Sequence, residues 1–277
     1  MLTGRAHIPR IRVRGLLPKI MVARLRRART PKAALICIYR DFYKTTTLQL
    51  VRAAEGAGWE IRLWAVDGPD PDMARYTVGQ GPGSRPLLLN NLFAGVDPAS
   101  WLVICDDDTQ FVYPWSVATF LTVCARFGFD LAQPAHAWNS YLWSEFHVQR
   151  PGLIARDTNF VEAGPIVAVS PRIRPLVTPF PTTTEKGWGT DITWSDHLAD
   201  GYRLGMVDGI AFEHLLQVAT DYDRGPEDDW VDVVLAERGL TSVRDLMTTR
   251  AEYRWLPFRT LRSVGKPPLN RPASLPD

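Results

Sequence analysis

The sequence has no apolar stretch long enough to form a membrane-spanning helix. Such a helix needs roughly 20 predominantly apolar residues, and the longest apolar runs here are far shorter. The first residues also lack the compact apolar core and the small-residue cleavage site of a secretory signal. We therefore expect a cytoplasmic globular protein, in keeping with a composition that is 45% hydrophobic and 22% charged.

Cysteine is also scarce. The chain holds only Cys37, Cys105 and Cys124, and their spacing is not that of paired metal ligands. Each lies in an apolar or helix-like context, which predicts buried free thiols in a reducing compartment.

Acidic residues are absent from the first 32 residues. Ten of the 32 Lys and Arg lie there, which leaves 22 against all 30 Asp and Glu in the rest of the chain, a net charge of −8. Apolar residues recur among these arginines at helical spacing and predict a short basic amphipathic helix: Leu16, Leu17, Ile20, Met21 and Leu25. Such a helix could lie on the anionic inner face of a membrane, or the segment could be a disordered or packed leader. The acidic remainder argues against nucleic acid as a partner.

Strand and helix signals alternate from residue 33 onward. The pattern predicts an α/β fold in a single domain over residues 33–247, with a Rossmann-type mixed sheet flanked by helices. Predicted strands are Ala33–Tyr39, Glu60–Val66, Trp101–Cys105, Asp130–Gln133, Phe160–Ser170 with an interruption at Gly164 and Pro165, and Tyr202–Val207. Predicted helices are Thr45–Ala57, Leu87–Ala94, Tyr113–Phe127 and Pro226–Arg238. Residues 248–277 form an expected irregular tail, and Val78–Pro86 is too rich in Gly and Pro for regular structure.

The most informative segment follows the third predicted strand. Five apolar residues, Trp101–Cys105, run directly into Asp106, Asp107 and Asp108, which we call the acidic triad. Open α/β sheets bind ligands at the carboxyl ends of their strands. Mutual repulsion between three carboxylates favours a divalent cation with oxygen ligands, Mn²⁺ or Mg²⁺. A solvated acidic turn is the alternative interpretation.

A second polar group lies in the other half of the chain. Glu162 comes just before Gly164 and Pro165, where the backbone can approach a ligand closely. Gly187, Trp188 and Gly189, the Gly-Trp-Gly turn, are followed by Asp191 at a predicted helix start. The alternative is that Trp188 fills the core and Asp191 only caps the helix.

The order of these segments resembles the nucleotide-sugar-dependent glycosyltransferases of the GT-A fold. Asp106 to Asp108 match the Asp-X-Asp motif, Gly187 to Asp191 match the acceptor-side motif, and His214 matches the late metal ligand. Together with Val161–Pro165 and Gly205–Asp208, these segments resemble a poorly characterised family of plant and bacterial glycosyltransferase-like proteins. One departure is Thr190, where many related enzymes carry an acidic residue.

This resemblance implies a role for each candidate residue. Asp106, Asp108 and His214 would hold the metal, and Asp191 would be the catalytic base of an inverting transfer from a nucleoside-diphosphate sugar to a saccharide or other hydroxyl acceptor. Donor-binding residues would be Asp67 for the nucleobase, Arg85 for the diphosphate, Asp106 for the ribose or a metal-bound water, and Asp107. Substrate-binding residues would be Glu162, Gly187, Trp188 and Gly189. Trp138, Trp143 and His136 are further candidates for the acceptor side.

Two other functions remain open from the sequence. A sugar nucleotidyltransferase would also place carboxylates around a metal at a strand end. It is disfavoured because Val78–Pro86 lacks the Gly-Lys ending of a phosphate loop and has no predicted strand directly before it. A non-catalytic carbohydrate-binding protein could keep the same fold without turnover.

Overall fold

The computed structural model describes residues 30–113, 116–217 and 223–254. The predicted amphipathic helix and most of the predicted tail, residues 255–277, lie outside these ranges. None of the helices in the described ranges is long and apolar enough to cross a lipid bilayer.

Ten strands form one mixed sheet. They are β1 (Ala33–Tyr39), β2 (Glu60–Ala65), β3 (Thr77–Gln80), β4 (Trp101–Asp106), β5 (Thr109–Phe111), β6 (Leu131–His136), β7 (Leu153–Thr158), β8 (Ile166–Val169), β9 (Leu204–His214) and β10 (Thr249–Arg254). Their order is β10-β7-β9-β6-β8-β4-β1-β2-β3, with β5 paired to β9. The pairs β1–β2, β2–β3, β1–β4 and β6–β9 are parallel, and the others are antiparallel.

Helices cover both faces of the sheet. The α-helices are α1 (Lys44–Gly56), α2 (Arg85–Phe93), α3 (Ser116–Phe127), α4 (Arg174–Val177), α5 (Thr190–Trp194) and α6 (Gly225–Glu237). Short 3-10 helices occur at Asp41–Tyr43, Ala74–Tyr76, Glu145–His147, Ser195–Leu198 and Val243–Leu246. The predicted fold class, a mixed α/β sheet flanked by helices in a single domain, is confirmed.

The central strand β1 shows why this sheet is covered on both sides. Its side chains alternate between the two faces. Leu35 and Cys37 join one buried cluster with side chains of α1 and α3, whereas Ala34 and Ile36 join a second cluster with α2 and α5. A parallel strand buried on both faces reads as a continuous apolar run, which is what AALICIY shows. The three cysteines are buried free thiols, as predicted.

Strand directions bring the candidate residues to one edge of the sheet. β1, β2, β4, β6 and β9 all run the same way, so their carboxyl ends share that edge. β8 runs the opposite way, so the segment that precedes it, residues 160–165, reaches the same edge. Arg40, Asp67, the acidic triad, His136 and His214 all lie at these ends.

Several element predictions need correction. Val78–Pro86 is not wholly irregular, because Thr77–Gln80 pairs with β2 and α2 already begins at Arg85. A strand therefore does precede Gly81 and Gly83. In the interrupted strand predicted over Phe160–Ser170, only the part after Gly164 and Pro165 is strand, at Ile166–Val169. The expected boundary at residue 247 is too early, because Thr249–Arg254 pairs with β7. These strand bounds depend on pairing with other strands, which local residue propensity does not reveal.

The last strand of the site is longer than predicted. Instead of ending at Val207, β9 continues to His214. Its interior holds Asp208, which is fully buried and accepts a 2.9 Å hydrogen bond from Arg156 Nε. This ion pair compensates the buried charge of Asp208. The strand β9 can therefore continue through Asp208, although the sequence predicted that the strand ends just before it.

Candidate active site

A cavity of about 770 Å³ lies at this edge of the sheet. Most of the candidate residues line it: Arg85, Asp106, Asp107, Asp108, Glu162, Gly187, Trp188, Gly189, Asp191 and His214. His136 and Trp143 also line it, whereas Asp67 and Trp138 are not among its lining residues. The fold therefore gathers segments that are more than 100 residues apart in sequence.

Each aspartate of the triad has its own cationic or protonatable partner. Arg85 donates to Asp106 Oδ1 from Nε at 3.1 Å and from Nη2 at 2.8 Å. Arg40 binds Asp107, and His214 binds Asp108. The repulsion that suggested a cation from the sequence is therefore relieved by side chains, which come from three other elements of the fold.

Asp107 is the most enclosed of the three. Arg40 donates to it from the backbone N–H, from Nε and from Nη2, at 2.8, 3.0 and 2.8 Å. Burial raises the pKa of Asp107, and Arg40 counteracts only part of this rise. Both carboxylate oxygens are occupied by Arg40, so Asp107 connects the ends of β1 and β4.

Asp108 and His214 form the candidate metal pair. Their register explains the contact, since β5 pairs Thr109 with His214 and Leu215 N–H donates to the Asp108 carbonyl. His214 Nε2 lies 3.2 Å from Asp108 Oδ2. Burial works against a charged ring, but Asp108, with smaller contributions from Asp106 and Glu162, outweighs it and raises the pKa of His214.

The predicted set of three metal ligands is not assembled. Within the described ranges, no group of three or more His, Cys, Asp or Glu side chains is arranged to hold a metal ion. Asp106 faces Arg85 instead of joining Asp108 and His214. The remaining oxygen–nitrogen pair still fits a divalent cation, because two ligands on one metal lie about 3 Å apart and Mg²⁺-type sites often use few protein ligands plus substrate phosphates.

Asp67 lies beside the cavity at the end of β2. It is exposed, and its Oδ2 accepts a 2.9 Å hydrogen bond from the Asp41 backbone N–H. This contact holds together the chain segments that follow β1 and β2. Its neighbour Val66 and the nearby Arg40 line the cavity, although Asp67 itself does not.

The Gly-Trp-Gly turn is held by a carboxylate from α6. Glu227 accepts hydrogen bonds from the backbone N–H of Lys186 at 2.8 Å and of Trp188 at 3.1 Å. Gly187 and Gly189 have φ values of 81° and 84°, a left-handed conformation that favours glycine. The Trp188 ring lies under Arg224, whose Cζ is 4.9 Å from the ring centre. The indole is thus at the cavity wall and not a core plug.

Asp191 lies in the first turn of the short helix α5, which follows the Gly-Trp-Gly turn. Its Oδ2 accepts a hydrogen bond from the Ala163 backbone N–H at 3.4 Å. Burial raises the pKa of Asp191 to about 7, with a further contribution from the charge of Glu162. A carboxylate with such a pKa can take up a proton near neutral pH.

Glu162 has a different environment. Its Oε2 accepts from Gln133 Nε2 and faces His136 Nε2, both at 3.0 Å, and its Oε1 accepts from the Trp143 indole. Burial disfavours its charge, but His147 and His136 and these hydrogen bonds outweigh burial and lower the pKa of Glu162 to about 2. Glu162 is therefore a fixed negative charge under the cavity.

Sequence reasoning missed two residues that build the site. Arg40 directly follows β1, and a charged residue at the carboxyl end of a buried strand was a usable signal. Glu227 lies in the first turn of α6, where an acidic residue is expected for the helix dipole alone. No local pattern connected it with the Gly-Trp-Gly turn.

The sequence matches no protein-family model and no curated protein. Among solved structures, GalNAc-T7 with UDP, GalNAc and Mn²⁺ superimposes with a TM-score of 0.55 at 8% identity, over 75% of this chain and 48% of that chain. The mannosyltransferase PcManGT from Pyrobaculum calidifontis with GDP-Man and Mn²⁺ gives 0.47 at 14% identity over 73% and 66%. A UDP-glucose pyrophosphorylase gives 0.41 at 8% identity over 75% and 98%.

The first of these scores is high enough to indicate a shared fold, and the two lower scores are not. The predicted GT-A-like architecture is thereby confirmed at the level of the fold. At such low identity the likeness extends to the fold alone. The chain spans about half the length of GalNAc-T7.

Proposed function

We propose that this chain is a metal-dependent glycosyltransferase. It moves a sugar from a nucleoside-diphosphate sugar to a hydroxyl of a saccharide or another acceptor, with inversion. The observation that carries the proposal is that one cavity holds both the Asp108–His214 pair and the half-buried Asp191. A transfer of this kind needs both a site that stabilises the departing diphosphate and a base for the acceptor.

The metal pair fits this reaction. A divalent cation bound there would supply Lewis-acid stabilisation of the departing diphosphate. Asp108 and His214 would hold it from the protein side, and donor phosphates and water would complete its ligands. The fold is consistent with this chemistry, because GalNAc-T7, which shares it, was solved with UDP, GalNAc and Mn²⁺.

Arg85 and Asp106 would bind the donor next to this pair. Arg85 is partly buried at the cavity wall, so its guanidinium can turn from Asp106 to the diphosphate. This exchange would free Asp106 for the ribose or a metal-bound water. Asp67 would accept a hydrogen bond from the nucleobase at the outer end of the cavity.

Asp191 is the proposed base. Its pKa of about 7 suits proton removal from an acceptor hydroxyl near neutral pH, whereas the pKa of Glu162, at about 2, makes that carboxylate a poor base. The partly exposed ring of Trp188 would hold the acceptor beside Asp191. Gly187 and Gly189 allow the backbone to place that ring at the cavity wall.

The proposal is tested by calorimetric titration with UDP, GDP and their sugars. The titrations are made with Mn²⁺ or Mg²⁺ and repeated with a chelator, on the native chain and on Asp108→Ala. Asp200→Ala is the matched control, because Asp200 is exposed and lies before the amino end of β9, away from the cavity. We expect metal-dependent binding that Asp108→Ala loses and Asp200→Ala keeps.

Other outcomes favour the alternatives. Binding of saccharides without any nucleotide binding would favour a non-catalytic carbohydrate-binding protein. Formation of a nucleoside triphosphate from donor and pyrophosphate, without sugar transfer, would favour a nucleotidyltransferase. Metal-independent nucleotide binding that Asp108→Ala keeps would contradict the proposed metal pair.

A further inference from the structure

Glu162 lines the cavity, but its oxygens are already in use. A carboxylate has about four acceptor positions, and the side chains of Gln133, His136 and Trp143 occupy three of them. His147 Nδ1 lies 3.6 Å from Oε1, too far for a hydrogen bond. The side chain of Glu162 is only 5% exposed. These contacts leave Glu162 little capacity to bind a substrate, the role that the family resemblance implies for it.

The same contacts fix the position of the charge. Gln133 also accepts from the Glu162 backbone N–H through its Oε1 at 2.6 Å, so one side chain holds both the backbone and the carboxylate. His136 is held in turn by Ser140, 3.0 Å from its Nδ1. The donors come from the end of β6 and from the segment that follows it. The Glu162 carboxylate therefore has one orientation, set by two parts of the chain.

One peptide group connects this charge with Asp191. Ala163, the next residue, donates its backbone N–H to Asp191 Oδ2 at 3.4 Å. Asp191 thus contacts the peptide group that directly follows Glu162, and both side chains line the cavity. An ionised carboxylate disfavours a second negative charge nearby, most strongly where water is excluded.

The other charged groups at the cavity do not supply a second negative charge that disfavours ionisation of Asp191. The three aspartates of the triad have their partners, as described above. The remaining titratable side chains of the lining are Lys186, Arg224, Asp228, His136 and Tyr141. Asp228 is paired with Arg224 at 3.0 Å. Burial is the main cause of the raised pKa of Asp191; the hydrogen bond from the Ala163 N–H lowers this pKa in part, and the charge of the Glu162 side chain raises it further.

We infer that Glu162 is a positioning residue that acts through Asp191, as a fixed negative charge that makes Asp191 a stronger base for the acceptor hydroxyl. The catalytic part of this inference, that Asp191 takes the proton of the acceptor hydroxyl, rests on the proposed function. Its electrostatic part concerns two carboxylates of the free protein and can be measured without turnover. Gln133, His136 and Trp143 hold the Glu162 carboxylate in place through their hydrogen bonds.

The first test uses the native chain. Carboxyl carbons of labelled Asp and Glu are followed by NMR over about pH 3 to 9, a range that spans ordinary carboxyl pKa values and those raised by burial. Asp191→Asn and Glu162→Gln identify the two signals. We expect Asp191 to titrate near neutral pH and Glu162 to remain ionised throughout that titration. If Glu162 titrates together with Asp191 or above it, the inference is wrong.

The second test removes the charge. In Glu162→Gln we expect the pKa of Asp191 to fall by about one unit. Trp143→Phe is the matched control, because it removes a hydrogen bond to Glu162 but leaves the charge, so the pKa of Asp191 should stay within a few tenths of a unit of the native value. An unchanged Asp191 pKa in Glu162→Gln, or an equal fall in both variants, would overturn the inference. If Glu162→Gln does not fold, the native titration still decides.

The third test separates this inference from the proposed function. If the chain transfers sugar, the acidic limb of its kcat/KM–pH profile should move to lower pH in Glu162→Gln, by as much as the pKa of Asp191 falls. The KM for the donor should change little. A shifted NMR titration in a chain without transfer activity would support the electrostatic coupling and contradict the proposed function. A shifted pH–rate profile without a shifted Asp191 titration would contradict the coupling alone.

Discussion

Arg40 binds Asp107 through three hydrogen bonds, one from its backbone and two from its guanidinium. The carboxylate is 4% exposed, and it lies between two aspartates that face the cavity. The pair fixes the carboxyl end of β1 against that of β4. The middle aspartate thereby orients Asp106 and Asp108, which diverge toward Arg85 and His214.

This pair predicts a large effect of Arg40→Ala on stability. Removal of one partner leaves a buried carboxylate without its cation, which costs about 2–4 kcal/mol of unfolding free energy. The comparison is Lys32→Ala, which breaks an exposed, solvent-screened pair with Asp97 and should cost much less. Urea denaturation of both variants measures the difference, and equal losses would contradict a structural role for Arg40.

The Asp108–His214 pair predicts a pH-dependent contribution to stability in the metal-free protein. The pKa of His214 is raised in the folded state, so the contribution is fully present below the unfolded value of about 6.5 and is lost as pH rises through the folded value. Asp108→Asn removes the partner of the charged ring. We expect its loss of stability, measured with a chelator present, to be larger near about pH 5.5 than near about pH 8.5.

His214→Gln gives the complementary control, since it removes the titrating group itself. In this variant the pH-dependent contribution of the pair to the unfolding free energy should disappear. The double variant with Asp108→Asn should lose less unfolding free energy than the sum of the two single losses. A loss in Asp108→Asn that grows with rising pH would contradict the assigned direction.

The proposed base predicts a loss of turnover with binding retained. Asp191→Asn keeps the size of the side chain and removes the proton acceptor. The rate of transfer from a nucleotide sugar should fall about 10²- to 10⁴-fold, while calorimetric binding of the nucleotide stays near the native value. In the native chain, kcat/KM should decline as pH falls through about 7, since the base is then protonated. Near-native turnover in Asp191→Asn would rule out this role.

The fold class was predictable because its signal is local. AALICIY and WLVIC are apolar runs that indicate strands buried on both faces, and each is followed by the polar residues that a sheet edge presents. The candidate site residues were predicted for the same reason, since most follow a strand or a glycine-rich turn. Their convergence then required only that the strands run in the same direction.

What the sequence did not show are the pairings between distant residues. Arg85, 21 residues before Asp106, turns that aspartate away from the predicted metal set. The sequence also did not show that Gln133, His136 and Trp143 contact the Glu162 carboxylate, because they come from another part of the chain. Such contacts depend on tertiary packing, which a local pattern does not encode.

The Gly-Trp-Gly turn predicts how much stability is lost when a single methyl group is added at Gly187. Gly187 has a φ of 81°, and a Cβ there would lie 2.9 Å from Pro86 Cγ in the first turn of α2. Gly201 has nearly the same φ, 80°, but no atom within 4 Å of the Cβ position. An alanine in the left-handed conformation costs about 1–2 kcal/mol at either site. Gly187→Ala should cost about 1–3 kcal/mol more, because the rigid proline ring cannot move aside without displacing α2.

The two variants together separate backbone strain from contact with α2. Urea denaturation should rank Gly187→Ala clearly below Gly201→Ala in stability, and only Gly187→Ala should weaken binding at the cavity, since Pro86 adjoins Arg85 at the start of α2. Replacing Pro86 by Ala in the Gly187→Ala background should restore part of the loss, because the ring atom that meets the new methyl group is then gone. Equal losses in Gly187→Ala and Gly201→Ala would mean that the left-handed backbone alone accounts for the glycine at 187.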